Sequence, residues 1–299
     1  MIEARRLHIL RAVADHRTVT AAAATLYLTP SAVSQQLTAL EQETGHRLFE
    51  RGARGVRLTP AGEILLTHTN AVLAQLERAE AELAAYSTGQ AGTATVTSFA
   101  TGIGLVVAPA LVRLAKTAPG IRVRVRDAEG DASLPMVLDR RTDVAVAVEY
   151  RGAPGADDPR LTRLPLYVEP FDAVLPITHS HAEAERVPLG ALAKDAWIGP
   201  FPGNPCHDVV VLACEQAGFQ PTMEHSSDDF RAVVALASAG AGVSLVPRSA
   251  LRDMDLSQVA VRPVEGVAPT RRVFAAVRCG AEKHPLISPV LEALREVAG

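Results

Sequence analysis

Two helix-start signals that lie only eleven residues apart constrain the N-terminal fold more than any other feature of the sequence. Thr18 precedes the alanine-rich stretch 19–26, and a threonine in this place caps a helix by accepting a backbone N–H. Thr29 and Pro30 form the second start, because proline suits the first position of a helix. Only residues 27–28 separate the two predicted helices, so the chain must turn sharply between them.

The second predicted helix is apolar on one face and polar, but uncharged, on the others. Val33, Leu37 and Leu40 are spaced by four and three residues and therefore share a face. The other faces carry hydroxyl and amide groups, which can hydrogen-bond to base edges in a DNA major groove. This pattern is typical of a helix-turn-helix, whose second helix enters that groove. The predicted DNA contacts of the two helices are Thr18, Thr20, Thr29, Ser31, Ala32, Ser34, Gln35 and Gln36.

A short basic hairpin is predicted after the second helix, which should end at Gly45. Two short runs around Gly52 and Gly55 can pair, and arginines would then project toward phosphates or a minor groove. The arginines expected to contact DNA are Arg51, Arg54 and Arg57. A small helical bundle with a solvated basic loop would explain either half alone. The two halves in this order favour a DNA-binding domain.

A long helix follows, opened by Thr59 and Pro60 and expected to run to about Ser87. Small and apolar residues recur along it in alternating steps of four and three, a heptad pattern kept for three repeats. This pattern favours pairing with a second copy of the chain. The alternative is one amphipathic helix packed on its own domain. The recurring positions are Leu65, Thr69, Val72, Leu76, Ala79, Leu83 and Tyr86, and the expected dimerisation residues among them are Leu65, Val72, Leu76, Ala79 and Leu83.

Beyond a small, glycine-containing hinge at residues 87–92, strands alternate with helices. Such alternation predicts a parallel, doubly wound sheet. The predicted strands are Ala94–Phe99, Ile121–Arg126, Val144–Val148, Phe171–Leu175, Ala196–Ile198, Val243–Val246 and Val273–Val277, with a crossover at Leu161–Leu166. The predicted helices are Thr101–Lys116, Leu134–Arg141, Pro205–Ala217, Asp228–Ala239 and Ser288–Val297.

Residues 7–66 resemble the winged helix-turn-helix of LysR-type transcriptional regulators. The matches at fixed spacing are Leu7, Val13, Thr18, Thr20, Ala22, Ala23, Leu26, Ser31, Ala32, Val33, Ser34, Gln35, Leu37, Leu40, Glu41, Gly45, Leu48, Phe49, Arg51, Leu58, Thr59 and Gly62. One departure is Pro30, which stands where the family usually has glutamine. Proline has no N–H to donate, so the family's operator preference does not carry over at this position.

Residues 91–299 resemble, more weakly, the effector domain of the same family. The resemblance implies an N-terminal all-α winged helix-turn-helix domain (1–59), a long linker helix for dimerisation (60–88) and an α/β effector domain (91–299) with the two-lobed, type 2 periplasmic-binding-protein-like fold. It also returns the last strand and helix to the first lobe. Lobe I would comprise about 91–162 and 267–299, and lobe II about 163–266.

Three junctions between strands and helices are expected to form an effector site, and by the resemblance all three face the cleft between the lobes. In open α/β sheets, ligands lie beyond the carboxyl ends of strands, where helix N-termini point. Hydroxyl and backbone N–H groups there would suit a small polar or anionic effector. Plain helix capping is the alternative role for each residue taken singly. The expected contacts are Ser98, Phe99, Thr101, Gly102, Glu149, Phe201, Asn204, Ser227 and Asp228.

Charge is distributed unevenly along a chain whose net charge is −3. Residues 1–60 hold eight arginines against five acids, a net charge of +3, which leaves −6 for the remainder. This asymmetry fits DNA contact confined to the N-terminal region. The expected partners are double-stranded operator DNA, further copies of the chain in a dimer or tetramer, a small-molecule effector and RNA polymerase.

The sequence indicates a cytoplasmic protein with no membrane partner, because it has neither a signal-peptide core nor an uninterrupted apolar run of the ~18 residues that a membrane helix needs. Three cysteines, an odd number, argue against a disulfide framework. His179 and His181 lack further metal ligands. We therefore expect no cofactor, no metal and no catalytic residues.

Three alternatives remain open. A redox-sensing regulator would use Cys206 and Cys214, although eight residues of helix span ~12 Å and a disulfide needs Cα atoms within ~7 Å. A small-molecule binding protein without a regulatory role would need an export signal and no DNA-binding domain. An enzyme on the same two-lobed fold would need a catalytic constellation, which the sequence does not display.

Overall fold

The computed structural model describes residues 2–52, 55–86 and 91–299. The N-terminal elements are helices α1 (Ala4–His16), α2 (Val19–Thr25) and α3 (Pro30–Thr44), strands β1 (Phe49–Gly52) and β2 (Gly55–Leu58), and the long helix α4 (Pro60–Tyr86). Both threonine caps form, because the N–H of Ala21 donates to Thr18 Oγ1 at 3.1 Å and that of Ala32 donates to Thr29 Oγ1 at 3.2 Å. The predicted helix-turn-helix, hairpin and linker helix are confirmed.

Helices α1, α2 and α3 close over a small apolar core, and together with the hairpin they are called the head below (residues 2–58). Val33 and Leu37 of α3 pack with α1 and α2, as their spacing predicts. Leu40 packs with Leu48, and Leu65 of α4 joins that second cluster. The start of α4 is therefore part of the head core.

The hairpin of β1 and β2 is attached to the turn between α1 and α2. The N–H of Val56 donates to the carbonyl oxygen of Arg17 at 2.8 Å. Gly55 lies beside this contact with φ of +119°, and a Cβ there would meet the same oxygen at 2.4 Å. Only glycine fits this approach, so residue 55 fixes the hairpin on the head.

Helix α4 has one buried face and one exposed apolar stripe. Thr69 is fully buried and Leu65 packs on the head core, so the chain's own packing occupies these two predicted seam positions. The buried positions of α4 are Gly62, Thr69, Leu73, Glu77 and Ala81. The exposed stripe, called the α4 stripe below, consists of Val72, Leu76, Ala79, Leu83 and Tyr86.

The buried face of α4 is anchored to the C-terminal region by one buried carboxylate. Glu77 pairs with Arg140, and Arg278 Nε donates to Glu77 Oε1 at 3.0 Å. Close by, Gly280 adopts φ of +97°, and a Cβ there would lie 2.4 Å from the carbonyl oxygen of Ala74. Helix α4 can approach this closely only because residue 280 has no side chain.

The C-terminal region is an α/β unit of two lobes. Its strands are β3 (Gly92–Ser98), β4 (Ile121–Asp127), β5 (Val144–Val148), β6 (Leu161–Pro176), β7 (Ala196–Gly199), β8 (Thr222–Ser226), β9 (Ser244–Pro247), β10 (Val259–Pro263) and β11 (Thr270–Arg278). Its helices are α5 (Ala100–Gly102), α6 (Ala108–Thr117), α7 (Gly130–Leu138), α8 (Pro205–Gln216), α9 (Phe230–Ser238) and α10 (Ser288–Ala298). A π-helical turn (Ile103–Val107) joins α5 to α6, and short 3₁₀ turns occur at Leu189–Leu192 and Arg248–Leu251.

The main sheet is mixed, which corrects the prediction of a parallel sheet. Strand β3 pairs in parallel with β4 and β5, but β11 returns from the second lobe and pairs antiparallel with β5 and β6. Strand β6 is continuous, so the predicted crossover and the strand predicted after it are two halves of one element. Its first half pairs with β11 and its second half with β9 and β10, which joins the two lobes through one long strand.

Each lobe has its own apolar core. The first cluster lies on β3, β5 and β11 and includes side chains from α6 and α10. The second surrounds the buried Trp197 and includes side chains from β6, β9, α8 and α9. Strand β11 and helix α10 thus lie with the first lobe, although they come last in the chain.

One helical stretch among the described residues, Ala100–Thr117, is long and apolar enough to cross a membrane by length and composition alone. Val106, Val107, Ala110 and Leu114 of this stretch are buried in the first lobe's core. A helix that packs in the core of a globular lobe passes the same test, so this stretch is weak evidence for a membrane span.

Candidate functional site

Helix α3 turns its apolar face into the head and leaves its polar face open. Ser31 and Gln35 are exposed, and Ala32 and Ser34 are partly exposed. Gln36 is turned toward α1, where Arg6 Nε donates to Gln36 Oε1 at 3.1 Å. The open face therefore consists of small and amide-bearing groups from the first two turns of α3, the part of a recognition helix that meets base edges.

The remaining predicted DNA contacts have different environments. The hydroxyls of Thr18 and Thr29 are used as helix caps, whereas Thr20 is exposed. Arg57 is exposed on β2. Arg51 belongs to β1, but its side chain, like the whole of Arg54, lies outside the described residues.

A cavity of about 700 Å³ lies between the two lobes. Lobe I contributes Phe99, Thr101 and Glu129 to its lining, and lobe II contributes Asn204 and Asp228. Four of the nine expected effector contacts thus line the cavity: Phe99, Thr101, Asn204 and Asp228.

The other five expected contacts do not line the cavity. Ser98 and Gly102 are buried against each other, since a Cβ on Gly102 would come within 2.6 Å of Ser98 Oγ. Phe201 and Glu149 are exposed outside the lining. Ser227 Oγ accepts the N–H of Asp229 at 3.2 Å and supports the start of α9. Helix α9 is capped by Asp229 rather than by Asp228, which corrects the predicted start.

Arg271 connects both lobes at the floor of the cavity. It is buried, it pairs with Glu169, and its Nη2 donates to Thr101 Oγ1 at 2.9 Å. Its Nη1 lies 3.6 Å from Cys206 Sγ, and its guanidinium lies 4.9 Å from the centre of the Phe99 ring. A buried ion pair is costly to leave incomplete, so this network fixes the orientation of Thr101.

Glu129 of lobe I and Asp228 of lobe II form an acidic pair across the cavity. The amide of Asn204 donates to Glu129 Oε2 at 2.9 Å and to Asp228 Oδ1 at 3.1 Å, and so links lobe I to lobe II. Burial, reinforced by the nearby charges of Asp228 and Asp127, raises the pKa of Glu129 to about 7. Arg271 and Asn204 act in the opposite direction but do not compensate.

Two sequence signals would have revealed the residues that the predictions missed. Asp127 ends β4 and Glu129 follows it, so both lie at the carboxyl end of a parallel strand, where ligand groups are expected. Arg271 and Glu169 are charged residues within predominantly apolar strands, and a charge that is buried in a strand requires a partner. Their partnership is invisible in the sequence, because the two residues are 102 positions apart.

The cysteines on α8 are buried thiols. Burial raises the pKa of Cys206 to about 11 and that of Cys214 to about 12. Both residues therefore carry little thiolate, the form that reacts with oxidants. Within the described ranges, no group of three or more His, Cys, Asp or Glu side chains could hold a metal ion.

Two sequence families match the chain, and together they span most of it. The family described as "Bacterial regulatory helix-turn-helix protein, lysR family" matches residues 4–63. The family described as "LysR substrate binding domain" matches residues 87–299.

Individual relatives are similar to this chain over most of their length. The transcriptional dual regulator GltC of Bacillus subtilis is 28% identical over 249 residues, which cover 83% of this chain and 81% of GltC. A probable hydrogen peroxide-inducible genes activator of Mycobacterium avium is 28% identical over 96% of this chain and 89% of its own.

Solved structures resemble the fold over the full chain. A full-length OxyR variant from Pseudomonas aeruginosa superposes with a TM-score of 0.65 at 22% identity, covering 100% of this chain and 97% of that one. Full-length CbnR in complex with its target DNA superposes with a TM-score of 0.57 at 24% identity, covering 100% of both chains. The protein belongs to the LysR family of bacterial DNA-binding transcriptional regulators, a family that is not known for enzymes.

Proposed function

We propose that this regulator binds operator DNA through the open face of α3 and that a small molecule in the interlobe cavity changes that binding. The observation that carries the proposal is the arrangement of the head. Helix α3 leaves Ser31, Ser34 and Gln35 open to solvent, beside a hairpin that carries Arg57. Amide and hydroxyl groups discriminate bases, while arginines hold phosphates.

The proposed DNA-binding form is a homo-oligomer, in keeping with a family whose members bind DNA as oligomers. The α4 stripe supports this, because its apolar side chains Leu83 and Tyr86 are 70% and 91% exposed. Two heads related by a two-fold axis would match a palindromic operator. A dimer of dimers, RNA polymerase as a partner and a cytoplasmic location belong to the same proposal.

The proposed domains follow the elements of the chain: 1–59 for DNA binding, 60–88 for dimerisation and 91–299 for the effector. The two separate apolar cores support a division into lobe I (about 91–162 and 267–299) and lobe II (about 163–266). An effector between them would touch Thr101 and Glu129 on one side and Asn204 and Asp228 on the other.

The proposed mechanism is a population shift. An effector that binds one closure of the lobes better than another stabilises that closure by the difference in affinity. Helix α4 is anchored to lobe I through Glu77 and Arg278. A change in the arrangement of the lobes can therefore reach the linker helix and alter the spacing of the heads. A coupling of about 1–3 kcal/mol would change operator affinity by about 5- to 150-fold.

A redox switch through Cys206 and Cys214 is the second candidate function, because some relatives are named as peroxide-inducible activators. Two features count against it: both thiols are buried with a raised pKa, and they are eight residues apart on the helix α8. Thiol titration before and after peroxide treatment tests it. Loss of two thiols together with a change in operator affinity would favour the switch over the effector site.

The direct test is binding of the purified protein to the DNA upstream of its own gene and to random DNA across a salt series. We expect selective binding that weakens steeply with salt, because phosphate contacts release counterions. Gln35→Ala should weaken specific binding by roughly 5- to 150-fold, the effect of one lost base contact of about 1–3 kcal/mol. Gln42→Ala is the matched control, since Gln42 is exposed on the same helix two turns beyond Gln35. Equal, weak binding to both DNAs would contradict the proposal.

A further inference from the structure

The interlobe cavity contains more negative charge than its cations balance. The acids in its lining are Asp127, Glu129, Asp228, Asp229 and Asp253. Three arginines also line it. An excess of carboxylates in a partly enclosed site favours a positively charged ligand, because the low-dielectric walls strengthen each interaction.

The best placed of the three arginines is not free to receive an anion. The side chain of Arg271 is 1% exposed, and Glu169 neutralises its charge. Its guanidinium also donates to Thr101 and contacts Cys206, so most of its N–H groups are occupied. The other two arginines, Arg231 and Arg252, are exposed at the rim. An anionic effector would therefore meet Glu129 and Asp228 before it met an available cation inside the cavity.

The acidic pair of Glu129 and Asp228 offers unused acceptors from both lobes. Asn204 satisfies one oxygen of each carboxylate. Among the described residues, no hydrogen bond reaches the second oxygens, Glu129 Oε1 and Asp228 Oδ2. A single donor group between them would contact lobe I and lobe II at once. Such a contact exists only when the lobes are close together, so it would favour closure.

A second observation in the same wall also points to a ligand. The hydroxyl oxygen of Ser249 is buried and has no hydrogen-bond partner among the described residues. Ser249 lines the cavity, and its own N–H donates to Glu169 Oε2 at 3.1 Å. Buried hydroxyls are normally satisfied, and a polar ligand in the cavity would satisfy this one. The required positive charge has to come from an organic group, since no cluster in the described ranges could hold a metal ion.

We infer that the effector carries a protonated amine, which is held between Glu129 of lobe I and Asp228 of lobe II. This inference rests on the proposed function of the cavity, and it replaces the expectation of a small polar or anionic effector with that of a cationic one. Either a plain amine or an amino acid could supply the group, because both present an ammonium with several N–H donors. In an amino acid the carboxylate would lie away from the acidic pair, toward Thr101.

Isothermal titration calorimetry on the full-length protein at pH 8 tests the inference with four probes. Putrescine supplies amines without a carboxylate, and L-arginine supplies both. Succinate and benzoate supply carboxylates without an amine. We expect saturable binding of at least one amine and none of the two anions. Binding of putrescine would identify a plain amine site, and binding of L-arginine alone would identify an amino-acid site.

Two near-isosteric variants test whether the amine binds at the acidic pair. Glu129→Gln and Asp228→Asn should each weaken amine binding by roughly 10- to 150-fold, because a hydrogen bond to a charged group contributes about 1.5–3 kcal/mol. Glu149→Gln is the matched control, since Glu149 is an exposed acid outside the cavity lining and its loss should leave the affinity unchanged. Unaltered binding to wild-type operator DNA, measured for each variant, shows that the chain still folds.

The outcome separates this inference from the proposed function. The inference is overturned if neither amine binds the wild-type protein. It is also overturned if Glu129→Gln and Asp228→Asn bind the amine as tightly as the wild type does. Succinate or benzoate binding in place of an amine would also overturn it, while supporting the cavity as an effector site. The proposed function fails on a different measurement, namely the absence of selective operator binding by the wild-type protein.

Discussion

Glu129 is a carboxyl group that the fold keeps partly protonated near neutral pH. Its pKa is raised to about 7 by burial and by the charges of Asp228 and Asp127. Between its ordinary pKa of 4.5 and this value, the folded chain binds a proton that the unfolded chain has released. The stability that the neutral group contributes is therefore full below pH 4.5 and is lost as the pH rises through 7.

Glu129→Gln should remove this pH dependence, because the amide cannot ionise. In the unliganded protein, the Tm of the variant should exceed that of the wild type at pH 8 by a few degrees, on the order of 2–4 °C for each kcal/mol gained. Near pH 5 the difference should shrink. Differential scanning calorimetry from pH 5 to pH 8 measures it, with Glu149→Gln as the exposed control. If the curves of Tm against pH are parallel for wild type and Glu129→Gln, the surroundings do not raise the pKa of this carboxyl group.

Residues whose role is local could be predicted from the sequence, whereas those that depend on distant partners could not. Thr18, Thr29 and Asn204 cap helices as expected, since a cap needs only the next few residues. Arg271 meets Glu169 and Thr101 from two other elements, so no local pattern reveals that network. Glu149 and Phe201 lie outside the cavity lining for a related reason, because a place near a strand end does not determine which way a side chain faces.

Among the elements, helix α4 has two different faces, one buried in the chain's own packing and one with exposed apolar side chains. The heptad spacing predicted one apolar seam, but Thr69 is buried and Leu65 packs on the head core. The sequence could not distinguish the buried face from the exposed one. A helix with 3.6 residues per turn shows the same apolar spacing whether it packs on its own domain or on a partner. Likewise, strand alternation predicted β3, β4 and β5, but not the antiparallel return of β11, which depends on the route of the chain through lobe II.

The α4 stripe should set the oligomeric state. Leu83→Asp and Leu76→Asp place a charge in the proposed interface, where an unpaired buried charge is costly. We expect a monomer in light scattering and operator binding weakened by about 10²-fold or more, because avidity from the second head is lost. Leu212→Asp is the control, since Leu212 is a leucine 55% exposed on α8. An oligomer that survives both α4 substitutions would place the interface elsewhere.

The close approach of α4 to lobe I depends on Gly280. In Gly280→Ala the new Cβ would lie 2.4 Å from the Ala74 carbonyl oxygen, so α4 must shift. Gly218→Ala is the matched control: Gly218 also has a positive φ, +89°, but a Cβ there meets nothing within 4 Å. Both variants should lose about 1–3 kcal/mol from backbone strain, and chemical denaturation should show a larger loss for Gly280→Ala. Equal losses would mean that α4 adjusts without cost.

At the scale of the whole molecule, the head rests on lobe I of the same chain. Arg160 pairs with Asp15 of α1 and with Asp158 of its own lobe. Beside it, His16 Nε2 lies 3.0 Å from Asp139 Oδ1. With Glu77 and Arg278 anchoring α4, head, linker and lobe I are joined by partly buried charges. In the proposed mechanism, lobe I therefore carries the linker and the head with it when the two lobes rearrange around an effector.

The contact between Asp15 and Arg160 should therefore stabilise the head itself. Asp15→Asn and Arg160→Met each remove one partner, and the double variant closes a thermodynamic cycle. We expect a coupling energy of about 0.5–3 kcal/mol, the range for residues in direct contact. Hydrogen exchange at the α1 amides in the full-length chain measures it, because exchange reports the local free energy of opening. Asp157→Asn, an exposed acid near the same site, should leave α1 unchanged. If the effects of the two substitutions simply add, the head is not held by this pair, and its position on lobe I must depend on α4 and on the contact of His16 with Asp139.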